Sequence, residues 1–366
     1  MRRPIAPVWL TTPSRFAALS QSGARAALML VVALIAATWL ALALPTTPRG
    51  AGTNHGTDMG LYAAIVDGVR HGGPYYAVAA DAMRAGGYPL KPFVTMRLPT
   101  LAVTIAAMPP FAVAGILYAL ATATMIAWYR RLRTALNRPA LAIAMMMLLG
   151  GMLTFFQSGL MLFHEIWAGL LIALSLAMRR PGHWIEAVAF GLAAVLIRET
   201  AAPYLVLMAV FAGVEGARRE AVAWTASLVV VAVVLVLHAN AVSLVVRPLD
   251  PASQGWSGML GFGFVVRAIV DATALSLFPL AVAAPLVGIA LFGWTAWRDP
   301  LAARMAALLA SYGVMLGLFG RLDTFYWALL IAPVSLVGMV FAVDGLRDLA
   351  RAATDNRRIT VRRVIR

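Results

Sequence analysis

Apolar stretches of 15 to 30 residues, rich in Ala, Val and Leu, recur along almost the whole chain and are separated by short segments that hold most of the charge. An α-helix rises 1.5 Å per residue, so about 20 apolar residues cross the hydrocarbon core of a bilayer. Only 12% of the 366 residues are charged, against about 25% in a soluble domain. The solvent for such a chain is lipid, where each backbone amide and carbonyl must be satisfied within a helix. The expectation is therefore an all-α fold, a polytopic transmembrane helical bundle forming one integral membrane domain over residues 1–366.

Ten spans are predicted, at 26–45, 98–128, 139–156, 159–178, 184–198, 200–214, 221–246, 275–297, 301–319 and 324–345. Pro109 and Pro110 fall inside the second and remove amide donors, so that stretch is either one kinked helix or a short hairpin. The formal charge of +15 would draw a soluble protein to nucleic acid. Here the arginines sit between apolar runs, and topology accounts for them without a nucleic-acid partner. With the N-terminus inside, Arg2, Arg3, Arg15 and Arg25, the Arg130–Arg138 cluster, Arg179, Arg180, Arg218, Arg219, Arg298, Arg304 and the arginines of the basic tail 346–366 all fall on the cytoplasmic side. Counting 98–128 once satisfies the positive-inside rule best and places both termini in the cytoplasm, in an inner-membrane, multi-pass arrangement. The first apolar run lacks a convincing cleavage site and reads as a retained anchor. The absence of cysteine excludes disulfides, thiolate metal sites and thiol nucleophiles.

Two external segments exceed what a connection needs: a first external loop at 46–97 and a second at 247–274. Within the first, Met59, Tyr62, Ala63, Val66 and Val69 recur at helical spacing until Gly72 and Gly73, and a second short helix fits Tyr76 to Arg84. Both are expected as amphipathic surface helices.

The ionisable residues near this external side are the candidates for chemistry. Asp58 opens the first surface helix one turn before Tyr62, where its carboxylate is a helix cap or a general base for a hydroxyl. Lys91, Arg97, Arg198 and Arg321 form a basic set suited to phosphate, which arginine meets bidentately. Arg198 and Glu199 lie between two apolar runs of only about 15 residues, too short to flank the pair with lipid on both sides. They either face a polar recess, or simply pair with each other or snorkel to the interface. Glu165 follows His164 in an apolar span and is read foremost as a salt-bridge partner, and otherwise as a ligand of sugar hydroxyls. The five histidines show no metal-ligand spacing, and no metal ligand is assigned.

The segment Thr57-Asp58-Met59-Gly60-Leu61-Tyr62, then Gly72-Gly73-Pro74-Tyr75-Tyr76, Tyr88-Pro89 and Met96-Arg97-Leu98-Pro99-Thr100, resembles the GT-C superfamily of membrane glycosyltransferases. Arg198-Glu199 and Gly320-Arg321 before Tyr326-Trp327 and Pro333 also look like that family's later external turns. The resemblance implies a GT-C-like bundle and transfer of a sugar from a polyprenyl-phosphate donor to a lipid, glycan or other envelope acceptor on the non-cytoplasmic face. It makes Asp58 the catalytic base and Lys91, Arg97, Arg198 and Arg321 the donor-phosphate ligands. Tyr62, Tyr88, Glu165 and Glu199 become substrate-binding or structural residues. No cofactor is assigned, and a divalent cation is left open. Direct displacement would invert the anomeric centre. Many family members carry two adjacent acidic residues, whereas Asp58 is followed by Met59. The competing readings are a noncatalytic scaffold of envelope assembly and a lipid or amphiphile transporter; no matching halves favour the latter.

Overall fold

A computed structural model describes residues 6–44 and 55–355. The Arg2–Arg3 pair, the start of the first external loop at 46–54 and the tail beyond 355 lie outside the described residues. Within them the chain is helical, and the only β pairing is three isolated bridges, Leu10 to Leu136, Lys91 to Ala252 and Arg180 to His183. The α-helices are α1 (Gln21–Thr38), α2 (His55–Arg70), α3 (Tyr75–Ala85), α4 (Pro99–Ala106), α5 (Pro110–Leu132), α6 (Arg138–Gly151), α7 (His164–Met178), α8 (Ile185–Ile197), α9 (Ala202–Val214), α10 (Arg218–Ser243), α11 (Gly261–Asp271), α12 (Leu280–Ala296), α13 (Pro300–Val314), α14 (Ala332–Ser335) and α15 (Gly338–Thr354).

Four helical stretches are long and apolar enough to cross a membrane: Gln21–Ala43, Pro110–Leu132, Arg218–Ser243 and Pro300–Phe319. A fifth arises if Leu322–Leu330 and Ala332–Thr354, bent by 65° at their junction, count as one. Their outward faces are what lipid favours: α1 exposes Met29, Leu30 and Val32, and α10 exposes Val233, Val236 and Leu237. Continuous apolar surface of this kind is unfavourable in water and neutral in a bilayer. Several helices with these properties mark a membrane protein.

Sequence chemistry sets most helix ends. Ser20, Asn137 and Asp299 cap α1, α6 and α13 by accepting from Gly23 N, Ala140 N and Leu301 N. Pro109 and Pro110 divide the predicted span 98–128 into the short α4 and the long α5, with Pro110 opening α5 where its missing N–H costs nothing. The predicted span 324–345 is also broken: a 3₁₀ segment, Leu322–Leu330, turns at Ile331 into α14, whose start carries Pro333. Proline disfavours helical geometry in the residue before it and cannot donate, which fixes the break. The segment 247–274 is more than a loop, because α11 lies inside it with Phe264, Val266 and Ile269 buried against α12 and the 3₁₀ segment.

The length differences locate the interior. At 1.5 Å per residue, α5 (23 residues) and α10 (26 residues) extend about 34 and 39 Å, whereas α7 (15 residues) extends about 22 Å and α8 and α9 (13 residues each) about 20 Å. At one end of α7, Arg179 joins a network with Glu215 (2.8 Å) and Glu220 (2.8 Å), and Arg304 reaches Glu215 at 2.6 Å. Nearby, Arg131 pairs with Asp299 (2.7 Å), and Asp344 accepts the amides of Val8, Trp9 and Leu10 at 2.7 to 2.8 Å. These belong to the segments expected on the cytoplasmic side. At its other end α7 begins with His164, and there the ionisable residues of the predicted external segments converge.

Candidate active site

The first predicted external loop is bound to the bundle by specific contacts. Arg70, in the last turn of α2, donates to the carbonyls of Ile105 and Ala106 in the last turn of α4 and of Met108 just beyond it, where a cation complements the helix dipole. Arg84 of α3 grips Asp250 with two bonds of 2.8 Å and donates to Val245 O at 2.6 Å, at the end of α10. This grip, with the Arg247 amide, holds the Asp250 carboxyl well below the usual carboxylate range. Tyr76 hydroxyl meets His238 Nδ1 (3.1 Å), and His238 Nε2 meets Met96 O (3.1 Å). Helices held in this way can carry a site with fixed geometry.

Between these helices and the ends of α7, α8 and α13 lies a cavity of about 550 Å³, a size typical of small-molecule sites. Asp58 lines it from the first turn of α2, its carboxylate accepting from Tyr88 hydroxyl at 2.8 Å. One turn later, Tyr62 sits edge-on against His164, ring centroids 5.2 Å apart, and accepts from Arg97 Nε at 3.3 Å. Tyr75 hydroxyl donates to the Arg97 carbonyl at 2.7 Å and fixes the backbone from which that guanidinium projects. Arg97 also approaches Glu199 Oε1 and Tyr326 hydroxyl, both at 3.5 Å. All three guanidinium contacts are long, so Arg97 is held loosely.

Arg198 is held differently. Its Nε donates to Glu165 Oε1 at 2.5 Å and its Nη1 to Glu199 Oε1, with Arg198 and Glu165 side chains each only 1% exposed. The turn after α8 is pinned by Tyr312 hydroxyl, which donates to Thr200 O at 2.9 Å. Arg198 and Glu199 pair with one another, and both line the cavity. The salt bridge expected of Glu165 is present and its partner is Arg198.

Arg321 lines the cavity at a more open position, chelated by Asp323 at 3.0 and 2.5 Å and reaching Gly255 O at 3.4 Å. Lys91 is not brought in. Its Nζ donates to Pro248 O at 3.0 Å on the exposed side of the bridge between the two external segments, away from the cavity lining, which removes it from the phosphate-binding set. Asp58, Tyr62, Tyr88, Arg97, Arg198, Glu199 and Arg321 do share the cavity, with Glu165 behind Arg198.

Also lining the cavity are His164, which the sequence offers only as a metal ligand, Tyr326 and Trp327, which it places only in a family-like turn without a site role, and Thr200 and Asp323, to which it gives no role. A histidine and a glutamate adjacent in an otherwise apolar span were the available signal for the first. Thr200 comes from the turn after α8, and Asp323, Tyr326 and Trp327 come close because the 3₁₀ segment Leu322–Leu330 packs onto α7, where a Cβ on Gly169 would fall on the carbonyl oxygen of Leu329. Among the described residues no group of three or more acidic, His or Cys side chains could hold a metal ion. No family model, curated protein or solved structure matches the chain.

Proposed function

We propose that the chain is an integral membrane glycosyltransferase of GT-C type, with about ten crossings, that moves a sugar from a polyprenyl-phosphate donor to a lipid, glycan or other envelope acceptor on the non-cytoplasmic side. The observation that carries this reading is the convergence of Asp58, Arg97, Arg198, Glu199 and Arg321 on a single cavity. Charged groups are retained at membrane depth where they serve a polar ligand and have partners.

In this mechanism the acceptor hydroxyl oxygen attacks the anomeric carbon, its proton passes to the Asp58 carboxylate, and the bond from that carbon to the phosphate oxygen breaks. The polyprenyl phosphate leaves with the bonding electrons, and the anomeric centre inverts. Tyr88 orients the base through its bond to the carboxylate. Arg97, whose contacts are long enough to exchange, and Arg321, at the more open side, stabilise the charge that grows on the phosphate. Arg198, locked by two carboxylates, holds Glu199 in place. A second cavity of about 690 Å³, lined mostly by apolar side chains of α1, α11, α12 and α13, lies across the π-helical turn Met315–Phe319, whose Met315 and Phe319 line the first cavity and Gly317 and Leu318 the second, and it suits the donor's hydrocarbon chain.

Purified protein incubated with a panel of polyprenyl-phosphate sugars tests the reading. Sugar-dependent thermal stabilisation by at least one donor is expected, because a ligand that binds only the folded state stabilises it by mass action. Silence across the panel would count against it.

A further inference from the structure

Buried polar atoms are nearly always hydrogen-bonded, and each exception calls for a reason. Among the described residues, eight buried side-chain atoms lack a protein partner, and five belong to residues lining this cavity: both ring nitrogens of His164, Oε2 of Glu199, Oγ1 of Thr200 and Nε1 of Trp327; the others are Glu165 Oε2, behind Arg198, and Nε of Arg131 and of Arg304 in the opposite network. His164 is 3% exposed and Trp327 7%. Four residues with unpartnered polar atoms around one cavity point to a ligand that would satisfy them.

The chemistry of the set says what it binds. A carboxylate oxygen accepts, an indole N–H donates, a threonine hydroxyl does both, and a neutral imidazole offers one of each. That mixture matches hydroxyl groups, which also donate and accept. Charge argues the same way. Arg198, the guanidinium bonded to Glu199, is matched by the carboxylates of both Glu165 and Glu199. The wall formed by these residues therefore has no surplus positive charge for an anion, whereas Arg97, held only by long contacts, stays available to one. Aromatic rings of Tyr62, Tyr326 and Trp327 supply flat apolar faces beside these polar atoms.

Building on the transferase reading, we propose that His164, Glu199, Thr200 and Trp327 form a subsite for the hydroxyls of an uncharged sugar ring, which lies deepest while its phosphate faces Arg97 and Arg321. Arg198 is a positioning residue that holds Glu199 for this contact. The site thus prefers neutral sugars over uronic acids, whose extra carboxylate would be buried without a counter-charge.

The test compares farnesyl phosphate with its mannosyl, glucosyl, arabinosyl and glucuronosyl esters as probes, binding to the full-length protein in detergent. The readout is the ratio of affinities between each ester and the bare phosphate. For the best neutral sugar this ratio should drop about five-fold or more per hydrogen bond lost in His164→Phe and in Trp327→Phe. Affinity for farnesyl phosphate itself should stay unchanged. The unliganded melting temperature should hold or rise in His164→Phe, because the substitution removes two unpaired buried atoms. Preference for the glucuronosyl ester, or an unchanged ratio in both variants, overturns the subsite even if glycosyl transfer is observed. Sugar-dependent binding that is lost in the variants, without transfer to any acceptor, sustains the subsite and overturns the transferase reading. Failure of every probe to bind overturns both.

Discussion

Replacing Arg198 by Met separates a structural strut from a phosphate ligand. The guanidinium is buried and bonded to Glu165 and Glu199. Met keeps much of the volume but leaves the Glu165 carboxylate, 1% exposed, with no cation, while Glu199 retains only its 3.5 Å approach to Arg97. Breaking a buried pair by removing one partner costs about 3–5 kcal/mol, and Arg198→Met should lose that much unfolding free energy. Adding Glu165→Leu removes the orphaned charge, so the double variant should be more stable than Arg198→Met alone, with a coupling of about 2 kcal/mol or more across the cycle. Reversible unfolding in mixed micelles, followed by far-UV circular dichroism, gives the four free energies. A loss below 1 kcal/mol in Arg198→Met, or single costs that simply add, would refute the strut.

Gly293→Val should destabilise by about 1–3 kcal/mol in the same assay, because its Cβ would land on Gly338 O where α12 meets α15; wild-type stability would show that the helices separate freely. Asp344→Ala removes the acceptor of three backbone amides, charge-assisted bonds worth about 1.5–3 kcal/mol each. It should expose Val8 to Leu10 to hydrogen exchange and proteolysis, and unchanged protection there would contradict the docking. The Asp250 carboxyl is depressed by Arg84, so its contribution to stability is present above the ordinary carboxylate pKa of about 3.9 and fades as pH falls toward the lower folded value. Exchange protection of the Leu90 and Ser253 amides, which bond Pro251 O and Lys91 O, should decline below about pH 4; protection independent of pH would show that the ion pair does not hold this junction.

The elements that reveal themselves in sequence are those whose signals are local. Pro109-Pro110 marks the break between α4 and α5, and Gly72-Gly73 stops α2 where the apolar spacing ends. The arginines flanking the apolar runs separate one end of the bundle from the other. What depends on distant packing was hidden. The burial of α11 could not be read from a stretch punctuated by glycines, because its apolar face is completed by α12 and the 3₁₀ segment. The break at Ile331 needs α7 to accept the displaced segment. In the candidate site, arginines and acids in an apolar chain stand out through the cost of burying them, which singles out Asp58, Arg97, Arg198, Glu165 and Glu199 in the sequence. Lys91 carries the same charge but sits at the exposed bridge to Pro248, a placement set by residues over 150 positions away. His164 is signalled only by its place beside Glu165 in an apolar span, and Trp327 becomes informative only when its indole nitrogen proves unpartnered.

The most direct measurement of the central claim is single-turnover transfer by Asp58→Asn at saturating donor, with donor affinity measured in parallel. Loss of a general base removes about 10²–10⁴-fold in rate, so transfer should fall at least about 100-fold while donor affinity stays within about two-fold of wild type. Transfer at the wild-type rate in Asp58→Asn would show that this carboxylate does not take the acceptor's proton and that the chemistry lies elsewhere.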